Sequence, residues 1–306
     1  MKDRKFDVLA VGGVSVDLVL KTPHLPAHDE KVVGELVGRL SGGPAANFAC
    51  AASRLGLKAA SWAGVGDDEN GRLILKDFED FGVDTSLIHI QGQAETPFTV
   101  VMIDPTGEKA IVVIPTFQHE YSLETAAEAL AQSRVLYTMP QDLDRFLALA
   151  RLAHRHGAEV MIDVEANVCA ERERLEQILA QTDIASFNQA GFAAAAGQPV
   201  SVEAAQLLLA FGPHTIVVTR GGAGSLAVTR AEVAEHPGYR VAVVDTTGAG
   251  DTFNAAFLAA TLQGKSLEER LHFANAAAAI SVTALGARGR LPTPAGIETF
   301  LEKGMV

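Results

Sequence analysis

The chain predicts an α/β fold: one domain over 1–306, built as three layers, with a mostly parallel central sheet covered by helices on both faces. Three observations lead there. Short β-branched runs recur with helix-length spacers between them, the spacers carry apolar residues at helical period, and no internal repeat or low-complexity linker interrupts the series. Phe6–Val11 reads as a buried first strand, and 159–164, 183–187 and 215–219 as later ones. Residues 47–55, 71–81, 143–156 and 204–211 read as helices, and alanine clusters at 193–196 and 276–279 as close helix packing. Two stretches, 17–40 and 96–114, depart from this rhythm. Both alternate like strands, Asp104-Pro-Thr-Gly107 makes a turn inside the second, and no helix separates them, so they fit poorly into a parallel sheet.

Composition narrows the class. At 306 residues, 48% hydrophobic and 20% charged, the chain can bury a large core. A net charge of -12 disfavours nucleic acid as a partner but not a nucleotide, which local donors can hold against the global field. Cys50 and Cys169 are too few for a disulfide framework or a cysteine-based zinc site. The N-terminus carries charges of both signs and no apolar run approaches a membrane span, so neither a signal peptide nor a membrane partner is expected, and the expected location is cytoplasmic.

The most informative motif is Asp245-Thr-Thr-Gly-Ala-Gly-Asp251-Thr-Phe. Before it, residues 240–245 are β-branched and read as a strand or extended segment; after it, 252–263 reads as a buried helix. Gly248, Ala249 and Gly250 let backbone N–H groups converge at that helix N-terminus, where an anion is favoured. Asp251 would be an awkward ligand for that anion and is better explained as a base. The N–H groups of Gly248, Ala249, Gly250 and Asp251 would then stabilise charge on a transferred phosphoryl group. A second motif, Ser41-Gly42-Gly43-Pro44-Ala45-Ala46-Asn47, offers close backbone approach at Gly42 and Gly43 and a donor and acceptor at Asn47, which suits a polyhydroxylated substrate. Gly264-Lys265-Ser266 ends like a P-loop but lacks its earlier glycine and follows a helix, so it reads as a helix end and turn.

Taken together, the two motifs resemble those of the PfkB, or ribokinase-like, family of carbohydrate and nucleoside kinases, and Val11-Gly-Gly-Val-Ser-Val-Asp17, Gly64-Val-Gly-Asp-Asp68, Thr219-Arg-Gly-Gly-Ala-Gly-Ser225 and the segment from Asn275 extend the likeness through almost the whole chain. The resemblance implies a ribokinase-like fold in which 17–40 and 96–114 form a small β-sheet lid over the sugar and, in many relatives, a homodimer interface. It implies ATP and Mg2+ as cofactors. Substrate contacts carry over to Asp17, Gly42, Gly43 and Asn47; Lys31 lies in the lid, where it would suit an anionic sugar or remain a solvated charge, and Phe98 with Phe117 could wall a nucleobase. Nucleotide contacts carry over to Asn188, Thr219, Gly221 and Gly224, with Asn275 and Ala279 on the adenine side, while Gly64, Asp68 and Gly71 take turn and cap roles.

Two departures from the family pattern stand out. The Glu of the family's Asn-x-x-Glu motif should fall at Gly191, which puts the magnesium geometry in question. Asp245 and Thr247 match part of a monovalent-cation loop, but Arg290 stands where a small Ser would help complete it; its guanidinium is expected to supply the positive charge, making potassium unnecessary. The leading expectation is an ATP-dependent sugar kinase acting on a primary hydroxyl of a ketohexose or pentose. Ribose itself is weakened by Pro44 in place of the lysine step of ribokinases and by the absence of Glu from 137–141. A nucleoside kinase of the same fold is the alternative, and a non-catalytic sugar- or nucleotide-binding protein the alternative of another class.

Overall fold

The computed structural model describes residues 4–106, 108–116 and 122–303. In chain order the first elements are β1 (Phe6–Val11), β2 (Ser15–Lys21), β3 (Glu35–Gly42), α1 (Pro44–Arg54), β4 (Ala59–Trp62), β5 (Gly64–Gly66) and α2 (Glu69–Phe81). Then follow β6 (His89–Gln91), β7 (Phe98–Ile103), β8 (Lys109–Ile114), α3 (Leu123–Ala131), β9 (Ser133–Thr138), α4 (Leu143–Arg155) and β10 (Glu159–Val164). The rest comprises α5 (Arg172–Leu179), β11 (Ile184–Asn188), α6 (Gln189–Ala196), α7 (Val202–Leu209), β12 (Thr215–Thr219), β13 (Ser225–Thr229), β14 (Val233–His236), α8 (Ala249–Leu262), α9 (Leu267–Ser281) and α10 (Pro294–Lys303).

Eight strands make the main sheet in the order β14-β13-β12-β11-β10-β9-β1-β4. The six from β12 to β4 are parallel, and β13 and β14 add an antiparallel edge. Period-two alternation divides β1 between two cores from Val8 to Val11. Val8 and Ala10 of β1 face the core that also takes residues of α1, α2, α8, α9 and α10, whereas Phe6, Leu9 and Val11 join the core formed with α3 to α7. The expected three-layer α/β architecture is therefore present. The alanines of 276–279 lie in α9, packed against α8, and those of 193–196 in α6.

The two irregular stretches form a separate sheet, β3-β2-β7-β8. It mixes hands: β2 pairs antiparallel with β3 and parallel with β7, which in turn makes a hairpin with β8. Residues 22–34, within the stretch expected to be strand-like, contain no strand. Gly107 of the expected turn and Phe117 lie outside the described residues. Asp68 joins the small sheet to the body. It caps α2 by accepting from the Gly71 amide at 2.7 Å and also accepts from the Thr96 amide at 2.8 Å, just before β7.

Residues 240–245 form no strand and belong to none of the sheets; the amides of Val244 and Asp245 both donate to the Val282 carbonyl. Helix α8 starts at Ala249, three residues earlier than expected, because Gly248 adopts a left-handed conformation at φ 73° and serves as its N-cap. Ser266 begins α9 with a reciprocal capping box to Glu269, which accounts for Gly264-Lys265-Ser266 as a turn between helices. No helix among the described residues is long and apolar enough to cross a membrane.

Candidate active site

Parallel strands β1, β9, β10, β11 and β12 all end at the same edge of the sheet, and the N-termini of α1 and α8 meet there. Open α/β sheets bind ligands at this edge. Asp251, in the first turn of α8, is buried, with 8% of its surface exposed. Its Oδ2 accepts a 2.9 Å hydrogen bond from Nδ2 of Asn47, one turn into α1. The glycine pair and the glycine-alanine-glycine turn, some 200 residues apart in the chain, thus meet through two side chains.

Asn47 is held from its other end by a residue that sequence reasoning missed. Arg288 is buried, donates from Nε to Asn47 Oδ1 at 3.0 Å and from Nη2 to the Gly42 carbonyl at 3.1 Å, and pairs with Asp77 of α2 at 3.3 Å. Its guanidinium also lies 5.7 Å from the Phe78 ring centroid. A planar fork can satisfy three such partners at once, which a lysine could not. The only trace of this in the chain is an arginine between two glycine-flanked positions of 286–289, and Arg290 nearby is just as prominent.

Glycine at 42 and 43 has a steric reason. A Cβ on Gly42 would come 2.6 Å from Oδ2 of Asp17, and Gly43 sits at φ 93°, with a Cβ position 2.6 Å from the Gly13 carbonyl. Asp17 on β2 therefore stands directly against the first turn leading into α1. Thr99 on β7, the register partner of Asp17, donates its hydroxyl to the carboxylate. Burial raises the Asp17 pKa, while Thr99 and Arg288 oppose the shift. Phe98, half-buried beside Thr99, packs on the core. Lys31 is exposed on 22–34, and no hydrogen bond or ion pair among the described residues ties it to these groups.

Burial pushes the Asp251 carboxyl up to about 7; the Asn47 amide and Arg288 pull it down, and the charges of Asp163 and Glu165 push it further up. Asp163, at the end of β10, is likewise pushed up to about 7 by burial and by Glu165, with Asn254 hydrogen-bonded to it. Asn254 lies one turn beyond Asp251, donates to the Tyr137 hydroxyl at 3.3 Å and accepts from Ser186 at 2.6 Å. Tyr137 in turn stacks on Phe48, with ring centroids 3.5 Å apart and planes at 6°. The result is a buried polar column under the first turn of α8, closed below by aromatic surface. Asp163, Tyr137 and Asn254 carry no motif, and only the strand order brings them together.

The helix N-terminus supplies donors, with one correction. The Ala249 amide donates to Thr246 at 3.3 Å and is not among the free groups. Those of Gly248, Gly250 and Asp251 have no partner among the described residues, and no side chain caps the helix. Gly248 is tightly enclosed as well, since a Cβ there would lie 2.6 Å from that of Ala287.

Further along the sheet edge, Asn188 and Thr219 are register partners at the ends of β11 and β12. Gly221 and Gly224 hold φ of 57° and 85° in the turn that follows, and a Cβ on Gly224 would collide with the His236 carbonyl. Asn275 on α9 is buried and donates to Ser225 and to the Leu271 carbonyl, both at 2.7 Å, so its amide nitrogen braces β13. Ala279 is buried one turn later. Gly191, where the family pattern has Glu, donates its amide to Asn188 Oδ1 at 2.7 Å, and a Cβ there would collide with the Val164 carbonyl. The end of β10 occupies the space of the missing side chain.

The expected role of Arg290 is overturned. Arg290 is exposed and donates to Thr283 at 3.0 Å; it has no hydrogen bond or ion pair with Asp245. The cation beside Asp245 is Lys109, whose Nζ lies 2.9 Å from Oδ1 and 3.2 Å from the Thr247 hydroxyl. Burial works against the Asp245 charge, yet hydrogen bonds from Lys109, Thr247 and the Gly286 amide hold its carboxyl down at about 2.

The chain is similar to known proteins over nearly its whole length. A family profile described as pfkB family carbohydrate kinase matches residues 5–294. Ribokinase of Haemophilus influenzae is 30% identical over 301 residues, covering 95% of this chain and 97% of its own. An ATP-dependent ribose-1-phosphate kinase of Halopiger xanaduensis is 30% identical over 297 residues, covering 97% and 98%. Among solved structures, Arabidopsis thaliana ribokinase complexed with ribose and ATP matches at a TM-score of 0.86 and 25% identity, covering 97% of this chain and 99% of that one. With a buried carboxylate at a glycine-capped helix start and a family match over nearly its full length, the chain belongs to the pfkB family of carbohydrate kinases, phosphotransferases with an alcohol group as acceptor.

Proposed function

We propose that the chain transfers the γ-phosphate of ATP to a primary hydroxyl of a small carbohydrate, a pentose or ketohexose, with Asp251 as the base. The observation that carries this is the placement of the Asp251 carboxyl, raised toward neutrality, beside the unpartnered amides that start α8. Asp17 and Asn47 present hydrogen-bonding groups at the same edge, with the backbone of Gly42 and Gly43 between them as a further contact for a polyol. The relatives named for ribose and ribose 1-phosphate favour a pentose-type acceptor.

In this reading Asp251 takes the proton of the hydroxyl as its oxygen bonds to the γ-phosphorus, the bond from that phosphorus to the bridging β-oxygen breaks, and ADP leaves. The amides of Gly248, Gly250 and Asp251 stabilise charge on the transferred group; one such donor is worth roughly 3 kcal/mol. Asn188, Thr219, Gly221 and Gly224 line the path of the nucleotide, with Asn275 and Ala279 at its far wall. A magnesium ion would arrive with ATP and keep most of its water. Such an ion offsets phosphate charge, and Asp163 and Glu165 are the carboxylates close enough to Asp251 to influence it.

The small sheet, joined to the body at Asp68 and Asp17, acts as a lid that excludes water from the transferred group. It also serves as the face of a homodimer. A coupled ADP-release screen across pentoses, ketohexoses, their phosphates and nucleosides tests the assignment. One class of free or phosphorylated pentose or ketohexose should be turned over, and Asp251→Asn should abolish that turnover. Activity confined to nucleosides would replace this reading with that of a nucleoside kinase.

A further inference from the structure

The loop from Asp245 to Thr247 is where the family pattern would place a monovalent cation, and the residues present do not fit one. Asp245 Oδ1 already accepts from the Thr247 amide at 3.0 Å, the Thr247 hydroxyl at 2.8 Å and the Lys109 ammonium at 2.9 Å, while Oδ2 accepts from the Gly286 amide at 3.0 Å. A potassium ion at this carboxylate would have to displace an ammonium that carries the same charge. The ion pair is also partly desolvated, the Asp245 side chain being 9% exposed and that of Lys109 30%, so it is worth more than a surface pair.

Lys109 does not belong to the body of the protein. It opens β8, the edge strand of the small sheet, and reaches Asp245 across a gap of 136 residues in sequence. A second contact runs in parallel: a Cβ on Gly286 would lie 2.9 Å from Leu40 Cδ1 on β3, so both edge strands of the small sheet rest on this loop system. Three residues after Asp245, Gly248 caps α8 and packs against Ala287, the residue next to Gly286. The carboxylate held by Lys109 therefore organises the same turn whose amides face the anion.

We propose that Lys109 is the resident cation of this loop, a positioning residue that takes the place of potassium and is delivered by the small sheet. Closure of that sheet and charging of the cation loop then become one event. The catalytic turn is braced only while the sheet is down, and the protein has no selective use for potassium.

Thermal melting of the ligand-free protein tests this in KCl, NaCl and tetramethylammonium chloride at equal ionic strength. The wild-type chain should melt at the same temperature in all three. Lys109→Met should melt lower in NaCl and tetramethylammonium chloride and recover by about 2–4 °C in KCl, with Lys109→Gln behaving alike. Potassium-selective stabilisation of the wild-type chain would overturn the proposal. So would cation-indifferent melting of both variants, because a vacated loop should then accept the ion. A kinetic arm, which rests on the phosphotransfer reading, uses the acceptor found in the screen. There Lys109→Met should lose roughly tenfold in kcat in NaCl and regain it in KCl, whereas loss without potassium rescue would make Lys109 merely structural. Since melting needs no substrate, failure of the phosphotransfer reading and failure of this proposal remain distinguishable.

Discussion

Asp251 is asked to be both buried and, at the moment of reaction, ionised, and its neighbours set the terms. Because burial raises its pKa to about 7, the folded chain binds its proton more tightly than the unfolded one. The stability this group contributes is therefore complete below about pH 4 and is lost as pH rises through about 7. Asp251→Asn removes that dependence. Its melting temperature should match the wild type near pH 4 and exceed it at pH 8, while kcat falls by roughly 10²- to 10⁴-fold. A variant that melts lower than wild type at pH 8 would show that the carboxylate stabilises the fold. Asp163 supplies a second test at the same scale. Its charge raises the Asp251 pKa, so Asp163→Asn should move the acidic limb of the kcat/KM profile to lower pH. An unmoved limb would mean that the two carboxyls are not coupled. Asp251 was legible from its motif, but Asp163 and Arg288 were not: a carboxylate at a helix start announces itself by the turn that holds it, whereas its electrostatic partners come from β10 and from the loop after α9 and follow no local pattern.

Elements were legible wherever local physics decided them. Buried parallel strands such as Phe6–Val11 and Glu159–Val164 are predominantly apolar runs, and their bounds agree with expectation residue for residue. Residues 240–245 have a similar composition but form no strand in any sheet, because strand identity needs a neighbour as well as β-branched side chains. The antiparallel β13 and β14 were missed for the converse reason, their signal being short and overlaid by the glycines of the turn between β12 and β13. At the start of α8 a single atom decides the geometry. Gly248→Ala adds a Cβ at φ 73° and 2.6 Å from the Ala287 methyl. It should cost about 1–3 kcal/mol in chemical denaturation and distort the amides that face the anion. Ala287→Gly in the same chain should restore part of the loss, since it removes the methyl contact but leaves the 2.8 Å approach to the Cα of residue 287 and the backbone strain. If the double variant gained nothing, the backbone contact and the strain at Gly248 would account for the whole cost.

At the scale of the whole molecule, the small sheet explains features that the body cannot. Its edge strand β8 presents Ile111, Val112 and Val113 at 59%, 48% and 64% exposure, and its other edge presents Leu36 at 57%. Exposed apolar edges are an invitation to pair with another chain, and a free one of this kind is usually blunted by charge or covered. Here the only charge on β8 is Lys109, and it is turned inward onto Asp245. The edge is therefore suited to a second copy of the chain, as the proposed homodimer requires. Ile111→Lys with Val113→Lys should shift the protein from dimer to monomer in sedimentation velocity at micromolar concentration. Both residues are well exposed, so the melting temperature at low concentration should change little. If the pair of substitutions left the sedimentation coefficient unchanged, association through this edge would be excluded. The outcome also bears on Lys109. A dimer that clamps β8 from outside would hold the lysine over Asp245, so dissociation should weaken the contact and leave the cation loop more open to potassium than in the assembled form.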